Sequence, residues 1–139
     1  GNGEDFQKLK NYIEKNNLKN NIFLEGHKEN VYEYLCKAKA FILPSLWEDP
    51  GFVLIEAAFA NTLVISSNCD NGPKEILKDN QNGYSFISND KSDFSQIFKK
   101  SQQANEKDIY EKKLNAKKMS RKFSLFNHYI ELKKILINV

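Results

Sequence analysis

Glu48 and Glu56 are the residues whose type and spacing most strongly suggest chemistry. Glu56 lies between Ile55 and Ala57 in an otherwise apolar segment, where burying a lone carboxylate is costly unless a hydrogen-bond donor meets it. Glu48 lies earlier in the chain, on the other side of Gly51. Because carboxylates accept hydrogen bonds from hydroxyl groups, the pair suits a ligand that carries hydroxyls on both sides of its centre.

The residues between the two glutamates suit the binding of an anion. Pro50 fits the first position of a helix, and Gly51 allows a ligand to approach the backbone closely. The amides of residues 51–53 would then point out of a helix N-terminus, which is a ready phosphate site. Two carboxylates beside that site do not bind the anion itself. They suit a nucleotide diphosphate sugar, with the ribose on one side and a hexose on the other.

The same spacing has structural explanations, and the sequence leaves both kinds open. Glu48 could complement the dipole of the following helix, and Asp49 could be an ordinary N-cap. Glu56 could pair with a lysine of a neighbouring helix.

Short apolar segments alternate with helical patterns along the chain. The segments that predict strands are 21–24, 40–43, 63–66 and 83–86. The helical patterns cover 4–17, 29–39, 52–60, 74–78 and the chain from about 93 to the end, with Val31, Leu35 and Ala38 on one face of the second. Apolar strands without alternation predict a doubly wound, Rossmann-like α/β domain, whose parallel sheet is buried under helices on both faces. Ligands of such sheets bind at the carboxyl ends of strands, where residues 44–56 lie.

Composition predicts one domain with a real core, because 40% of the 139 residues are hydrophobic and 28% are charged. We assign residues 1–139 to this domain, truncated at its N-terminal edge, with 106–139 as a C-terminal helical tail. The chain opens on a glycine turn without a methionine, a signal peptide or a membrane-length apolar run, so we expect a piece of a longer cytoplasmic protein.

Charge is distributed unevenly: the first 98 residues carry −4 and the last 41 carry +7. A basic tail suits nucleic acid or an anionic membrane. Arg121 is the only arginine, although arginine is favoured for reading bases and phosphates, so we expect no nucleic acid. We predict a solvated helix face with Leu114 turned inward, formed by Lys112, Lys113, Lys117 and Lys118. Peripheral contact with an anionic membrane stays an alternative.

The cysteines and histidines are too few for a metal centre. Cys36 and Cys69 match neither a disulfide framework nor a zinc pattern, and we expect both as buried small residues in a reducing compartment. His27 and His128 are expected to be structural. The sequence therefore predicts neither a metal nor a cofactor.

The motifs, taken in order, resemble those of the retaining glycosyltransferases of family four. The central one is E-x7-E, here Glu48 to Glu56 after Pro44-Ser45. The other matching motifs are Gly1-Asn2-Gly3 for G-x-G, residues 22–27 for V-x-F-x-G, Ala38-Lys39-Ala40, residues 71–77 for G-x-P-E-I, Asn82-Gly83, and Phe123-Ser124 for the closing F-S-W. Asp49-Pro50 departs from the family's usual Gly-Phe, and Leu125 replaces the closing tryptophan.

The resemblance implies the C-terminal, donor-binding half of a GT-B enzyme. Such an enzyme moves a hexose or N-acetylhexosamine from a nucleotide diphosphate sugar, here UDP-linked, to a saccharide or lipid-linked acceptor, with retention and without a metal. The implied site residues are Glu48 for the donor sugar, as the catalytic contact, Glu56 for the ribose, Gly51, Phe52 and Val53 for the diphosphate, Gly26 and His27 near the base, and Gly3 in the first turn.

The resemblance also implies what this chain lacks. The family's diphosphate-neutralising arginine and lysine precede the G-x-G turn, and its acceptor domain with a frequent catalytic histidine lies further upstream. We therefore expect this fragment alone to be inactive, and its parent to build bacterial cell-envelope glycans in the cytoplasm or at the inner face of the membrane. The alternative is a noncatalytic nucleotide-binding or interaction module on the same fold.

Overall fold

The computed structural model of the chain divides into two compact units, Gly1–Val31 and Tyr32–Val139. It describes residues 2–137, so the first glycine of the predicted G-x-G turn lies outside the described residues. The domain and tail boundaries assigned from the sequence stay a prediction.

In the described part of the first unit, residues 2–31, one helix forms, α1 (Phe6–Lys15), which buries Ile13. Asn17, just after the helix, has a φ of 56°, a left-handed conformation that asparagine tolerates at a helix end. The predicted strand over 21–24 is wrong, because residues 22–28 form no regular element. A strand exists only where a neighbour supplies its ladder of hydrogen bonds, and no ladder pairs this segment within residues 2–137.

The second unit contains a three-stranded parallel sheet in the order β1-β2-β3. Its elements are α2 (Tyr32–Leu35), β1 (Ala40–Leu43), α3 (Phe52–Phe59), β2 (Leu63–Ser67), α4 (Pro73–Leu77), β3 (Tyr84–Phe86), α5 (Lys91–Gln103), α6 (Glu106–Ser120), a 3-10 helix (Arg121–Phe123) and α7 (Leu125–Ile137). Ile42 is in register with Ile65, and Ser66 with Ser85. The strand and helix order predicted for this part of the chain is confirmed.

Alternate residues of β2 point into two different cores. Val64 joins one cluster with α3, α4 and Met119 of α6, whereas Ile65 joins a second cluster with β3 and α5. The sheet is therefore covered on both faces, as the doubly wound prediction requires. Burial on both faces is confirmed for β2 but wrong for β1, an edge strand whose four residues are only half-buried.

The predicted helix over 29–39 is reduced to α2, which has four residues. Leu35 is buried, whereas Val31 and Ala38 are exposed, because a single helical turn presents only one side chain to the core. The prediction that both thiols are buried is confirmed for Cys69 and wrong for Cys36, which follows α2 and is exposed.

The last two helices differ in packing. Helix α6 packs against α3 and β2 and buries Ala116, Met119 and Ser120. Helix α7 packs against the 3-10 helix and has no buried residue. Its exposed apolar side chains are Leu125, Phe126, Tyr129, Leu132, Ile135, Leu136 and Ile137. No helix within residues 2–137 is both long and apolar enough to cross a bilayer.

Candidate functional site

The loop of residues 44–51, which follows β1, carries Glu48. The hydroxyl of Ser45 donates a hydrogen bond to Glu48 Oε1 at 2.5 Å. The carbonyl oxygen of Ser45 accepts hydrogen bonds from Ser67 Oγ at 2.5 Å and Ser88 Oγ at 3.4 Å. Ser67 ends β2 and Ser88 follows β3, so the carboxyl ends of all three strands converge on this loop.

Helix α3 begins at Phe52, with Gly51 as its N-cap at a φ of 80° and a ψ of 47°. The predicted place of Pro50 at the first helical position is therefore wrong. Gly51 is in the left-handed region, which a right-handed helix cannot include, so the helix starts after it. The Asp49–Pro50 peptide bond is cis, and no side-chain cap bonds to the start of α3. The ordinary N-cap explanation of Asp49 is not observed.

Three backbone amides at the start of α3, those of Gly51, Phe52 and Val53, donate no hydrogen bond to any described residue. The first amide of the helix to be used is that of Leu54, which donates to the Gly51 carbonyl at 3.0 Å. Glu48 lies beside these amides: a Cβ placed on Gly51 would be 3.5 Å from Glu48 Oε2. This position agrees with the helix-dipole explanation as well as with a ligand contact, because both place the carboxylate at the helix N-terminus.

Glu56 lies on the more open face of α3. Phe52 on that face is exposed, and Val53 and Glu56 are half-buried, whereas the opposite face consists of the buried residues Leu54, Ile55, Ala57 and Ala58. Within residues 2–137, the carboxylate of Glu56 accepts no hydrogen bond and has no lysine or arginine within 4.0 Å. The alternative in which Glu56 pairs with a neighbouring lysine is therefore not observed. A half-buried carboxylate without a partner remains at the site.

The loop before α4 packs directly against the 44–51 loop. Gly72 has a φ of 138°, and a Cβ there would lie 2.0 Å from the carbonyl oxygen of Pro50. Only glycine fits this contact, since both the backbone angle and the space exclude a side chain. The 71–77 motif therefore lies next to the segment that carries Glu48.

In the first unit, Gly3 and Gly26 line one cavity of about 390 Å³. Gly26 has a φ of 68°, and the side chain of Asn2 lies 2.9 Å from where its Cβ would be. His27 is exposed and does not line that cavity. The assignment of Gly3, Gly26 and His27 to a nucleotide base stays a prediction.

The predicted solvated lysine face is wrong for Lys112. Its side chain is only 14% exposed, and Nζ lies 4.7 Å from the ring centroid of Tyr84 and 3.8 Å from Asp108 Oδ1. It also donates to the carbonyl oxygen of Asn80. Tyr84 in turn donates to Asp108 Oδ2 at 2.5 Å, and burial together with this bond raises the pKa of Tyr84 well above its usual range. Of the other residues of the predicted face, Lys118 is exposed, and Lys113, Leu114 and Lys117 are half-buried.

Sequence reasoning missed the serines that hold the Glu48 loop. Ser67 is fully buried and Ser66 next to it is also fully buried, although serine has little reason to lie in a core strand without a hydrogen-bond partner. The sequence did offer a signal for this contact: two serines, Ser66 and Ser67, end an apolar strand, and Pro44-Ser45 follow the neighbouring one. Within residues 2–137, no group of His, Cys, Asp and Glu could hold a metal ion.

Comparison with known proteins gives the family. The model of the family described as glycosyl transferases group 1 matches residues 1–122. An uncharacterized glycosyltransferase of Methanocaldococcus jannaschii is 43% identical over 77 residues, which are 55% of this chain and 19% of that protein. A poly(glycerol-phosphate) alpha-glucosyltransferase of Bacillus subtilis is 37% identical over 84 residues, which are 60% of this chain and 12% of that protein.

A solved structure with the same fold is that of HepE from Anabaena in complex with UDP. It superimposes with a TM-score of 0.84 at 16% identity, over 96% of this chain and 36% of that one. The chain spans about a fifth or less of the two curated relatives. The resemblance indicated by the motifs is confirmed, as is the doubly wound fold. The chain belongs to the glycosyl transferases group 1 family, and its fold is that of the C-terminal domain of a GT-B glycosyltransferase.

Proposed function

We propose that this chain is the donor-binding domain of a retaining glycosyltransferase, and that it binds a UDP-linked hexose or N-acetylhexosamine. The observation that carries the proposal is Glu56. This half-buried carboxylate has no partner within residues 2–137 and lies on α3, where the amides of the N-cap and of the first two helical residues are also unused. A polar group left unsatisfied at that depth favours a ligand that brings donors to it.

Each group has a separate task in the proposed site. Glu56 accepts hydrogen bonds from the ribose hydroxyls, and the amides of residues 51–53 bind the diphosphate. Glu48 accepts hydrogen bonds from hydroxyls of the donor sugar. As the bond between the anomeric carbon and the diphosphate oxygen breaks, negative charge grows on the diphosphate, where fixed amides stabilise it best. In this scheme the amides and cations of the parent protein take the place of a divalent metal.

The UDP-linked donor is supported by HepE, which has the same fold and was solved in complex with UDP. The Bacillus subtilis relative is named for glucosyl transfer to poly(glycerol-phosphate). We therefore infer a saccharide or polymer acceptor of the cell envelope for the longer protein. That acceptor would bind outside this chain, which covers only a minor part of its relatives.

The test compares UDP with a UDP-sugar on the 139-residue chain and its variants. Glu56→Ala removes a contact to the ribose, which both ligands share, so both should bind more weakly. Glu48→Ala should weaken only the UDP-sugar. Loss of a hydrogen bond to a charged group costs about 1.5–3 kcal/mol, or roughly ten- to a hundredfold in affinity.

Titration calorimetry or ligand-observed NMR measures the dissociation constants. For the chain alone we expect values of ~1 mM, because charge-assisted contacts to the diphosphate are missing. Glu111→Ala, at an exposed position of α6, is the matched control and should change neither affinity. Equal losses for both ligands in both variants would overturn the assignment of the two glutamates.

A noncatalytic nucleotide-binding module on the same fold is the competing function. The two differ in what the longer protein does: the transferase should move the sugar with retained anomeric configuration and without sensitivity to chelators. We expect no transfer from the 139-residue chain itself, since positioning of the acceptor supplies about 7–11 kcal/mol of a typical barrier. Transfer by this chain that Glu48→Ala abolishes would contradict that expectation.

A further inference from the structure

We propose that Ser45 is a positioning residue for the donor sugar, which it affects by fixing the Glu48 carboxylate, and that Ser67 and Ser88 hold Ser45 in place. The inference rests on the proposed function, because it assumes that Glu48 contacts the sugar. The motif alone identifies Glu48 as a loop residue, and the inference adds that serines at the ends of all three strands hold it in place.

Ser45 is the hydrogen-bond partner of Glu48 within residues 2–137. The donor–acceptor distance of 2.5 Å is short, as expected when a hydroxyl donates to an ionised carboxylate. The bond uses Oε1 and leaves Oε2 next to Gly51 at the start of α3. The hydroxyl of Ser45 therefore selects one orientation of the carboxylate before any ligand arrives, and a pre-organised side chain loses less entropy on binding.

The backbone of Ser45 is itself fixed from two neighbouring strands. Ser67 Oγ donates to its carbonyl oxygen at 2.5 Å, and Ser88 Oγ approaches the same oxygen at 3.4 Å. Ser67 is fully buried, and the amide of Ser88 donates to Asn68 Oδ1 at 2.9 Å. The loop that carries Glu48 is thus tied to the rigid sheet, which holds a site more accurately than a free loop does.

The arrangement predicts a selective effect. Because Ser45 acts through Glu48, removing the Ser45 hydroxyl should lower the affinity only of ligands that contact Glu48. A UDP-sugar should be weakened, while UDP, which lacks the sugar, should bind as before. A residue that only stabilises the fold would weaken both ligands alike.

The experiment measures the affinity of UDP and of UDP-glucose or UDP-N-acetylglucosamine for Ser45→Ala, Glu48→Ala and the double variant. We expect Ser45→Ala to weaken the UDP-sugar about three- to tenfold and to leave UDP unchanged. In the Glu48→Ala background the second substitution should have no further effect, which is the non-additivity of residues acting as a unit. Ser45→Thr keeps the hydroxyl and should restore the affinity.

A second measurement needs no ligand. In the free chain, side-chain NMR couplings of Glu48 should report one χ1 rotamer in the native chain and Ser45→Thr, and several in Ser45→Ala. Several rotamers in the native chain, equal weakening of UDP and UDP-sugar, or additive effects of the two substitutions would each overturn the proposal. If Glu48 is ordered by Ser45 and no UDP-sugar binds, the proposed function fails while the positioning of Glu48 stands.

Discussion

Two polar clusters of the second unit differ in how fully their groups are satisfied. In the segment that runs from the carboxyl end of β1 into α3, the carboxylate of Glu56 has no partner within residues 2–137, and Glu48 accepts one hydrogen bond. Between β3 and α6, Tyr84, Asp108 and Lys112 satisfy one another. A closed network rigidifies the fold, whereas an incompletely satisfied one favours a ligand. The first cluster is therefore expected to govern binding and the second to govern stability.

The largest effect is expected where the strand-end loops touch. Gly72→Ala forces a Cβ to within 2.0 Å of the Pro50 carbonyl oxygen, so the two loops have to separate. We expect a loss of about 3 kcal/mol or more in the free energy of unfolding, measured by urea titration. Gly3→Ala, where a Cβ meets nothing within 4 Å, is the stability control and should stay near the native value. A Gly72→Ala chain of native stability would show that the loops move independently.

The closed cluster should respond strongly to the loss of one member. Asp108→Ala leaves the hydroxyl of Tyr84 without its acceptor, and an unsatisfied buried polar group costs about 1–3 kcal/mol. The free energy of unfolding should fall by that amount, while affinity for UDP-sugars should not change. Tyr84→Phe in the same background removes the orphaned hydroxyl and should recover part of the loss. Weakened ligand binding in Asp108→Ala would break the distinction between the clusters.

The closed cluster should also give the fold a distinctive alkaline limit. The pKa of Tyr84 is raised in the folded state, so the folded chain keeps a proton that the unfolded chain releases near pH 10. The raised pKa adds to the free energy of unfolding. This added stability is fully present below pH 10 and is lost as pH rises toward the folded pKa, at up to about 1.4 kcal/mol per pH unit. Thermal unfolding of Tyr84→Phe between pH 9 and 11 should lack this component. Identical pH profiles for the two chains would contradict the raised pKa.

The smallest effect on stability is expected at Glu56. Glu56→Ala removes a half-buried carboxylate without a partner and introduces the best helix former, so the free energy of unfolding should stay within about 0.5 kcal/mol of native or rise slightly. The same variant should bind UDP more weakly. Destabilisation by more than 1.5 kcal/mol on a urea titration would mean that Glu56 has a structural partner.

The sequence predicts elements that depend on local pattern and misses those that depend on distant partners. The apolar runs of α3 and β2 were sufficient to place both, whereas the assignment of Glu48 and Glu56 to a ligand stays a prediction. The bond between Ser67 at the end of β2 and Ser45 in the loop after β1 joins two segments that no periodicity connects. The pattern of α6 predicts that Lys112 faces solvent, but in the folded chain its Nζ lies over the ring of Tyr84, a residue of β3.

The segment 21–24 shows the same limit for a strand. Its composition is that of a strand, but a strand is defined by a neighbour and not by its own residues. The apolar pattern over 52–60 predicted the start of α3 correctly, whereas the expectation that Pro50 takes the first helical position was wrong, because the left-handed Gly51 cannot belong to the helix.

The contact between Gly72 and the Pro50 carbonyl oxygen has a consequence for engineering. Because the two loops touch at this point, the length of one limits the length of the other. An insertion in one loop is therefore expected to require a compensating change in the other. Libraries that vary the proposed donor site should therefore keep both loop lengths constant and change exposed side chains such as Leu46, Trp47 and Phe52. Chimeras with relatives should exchange residues 44–51 and 68–72 together, as one cassette.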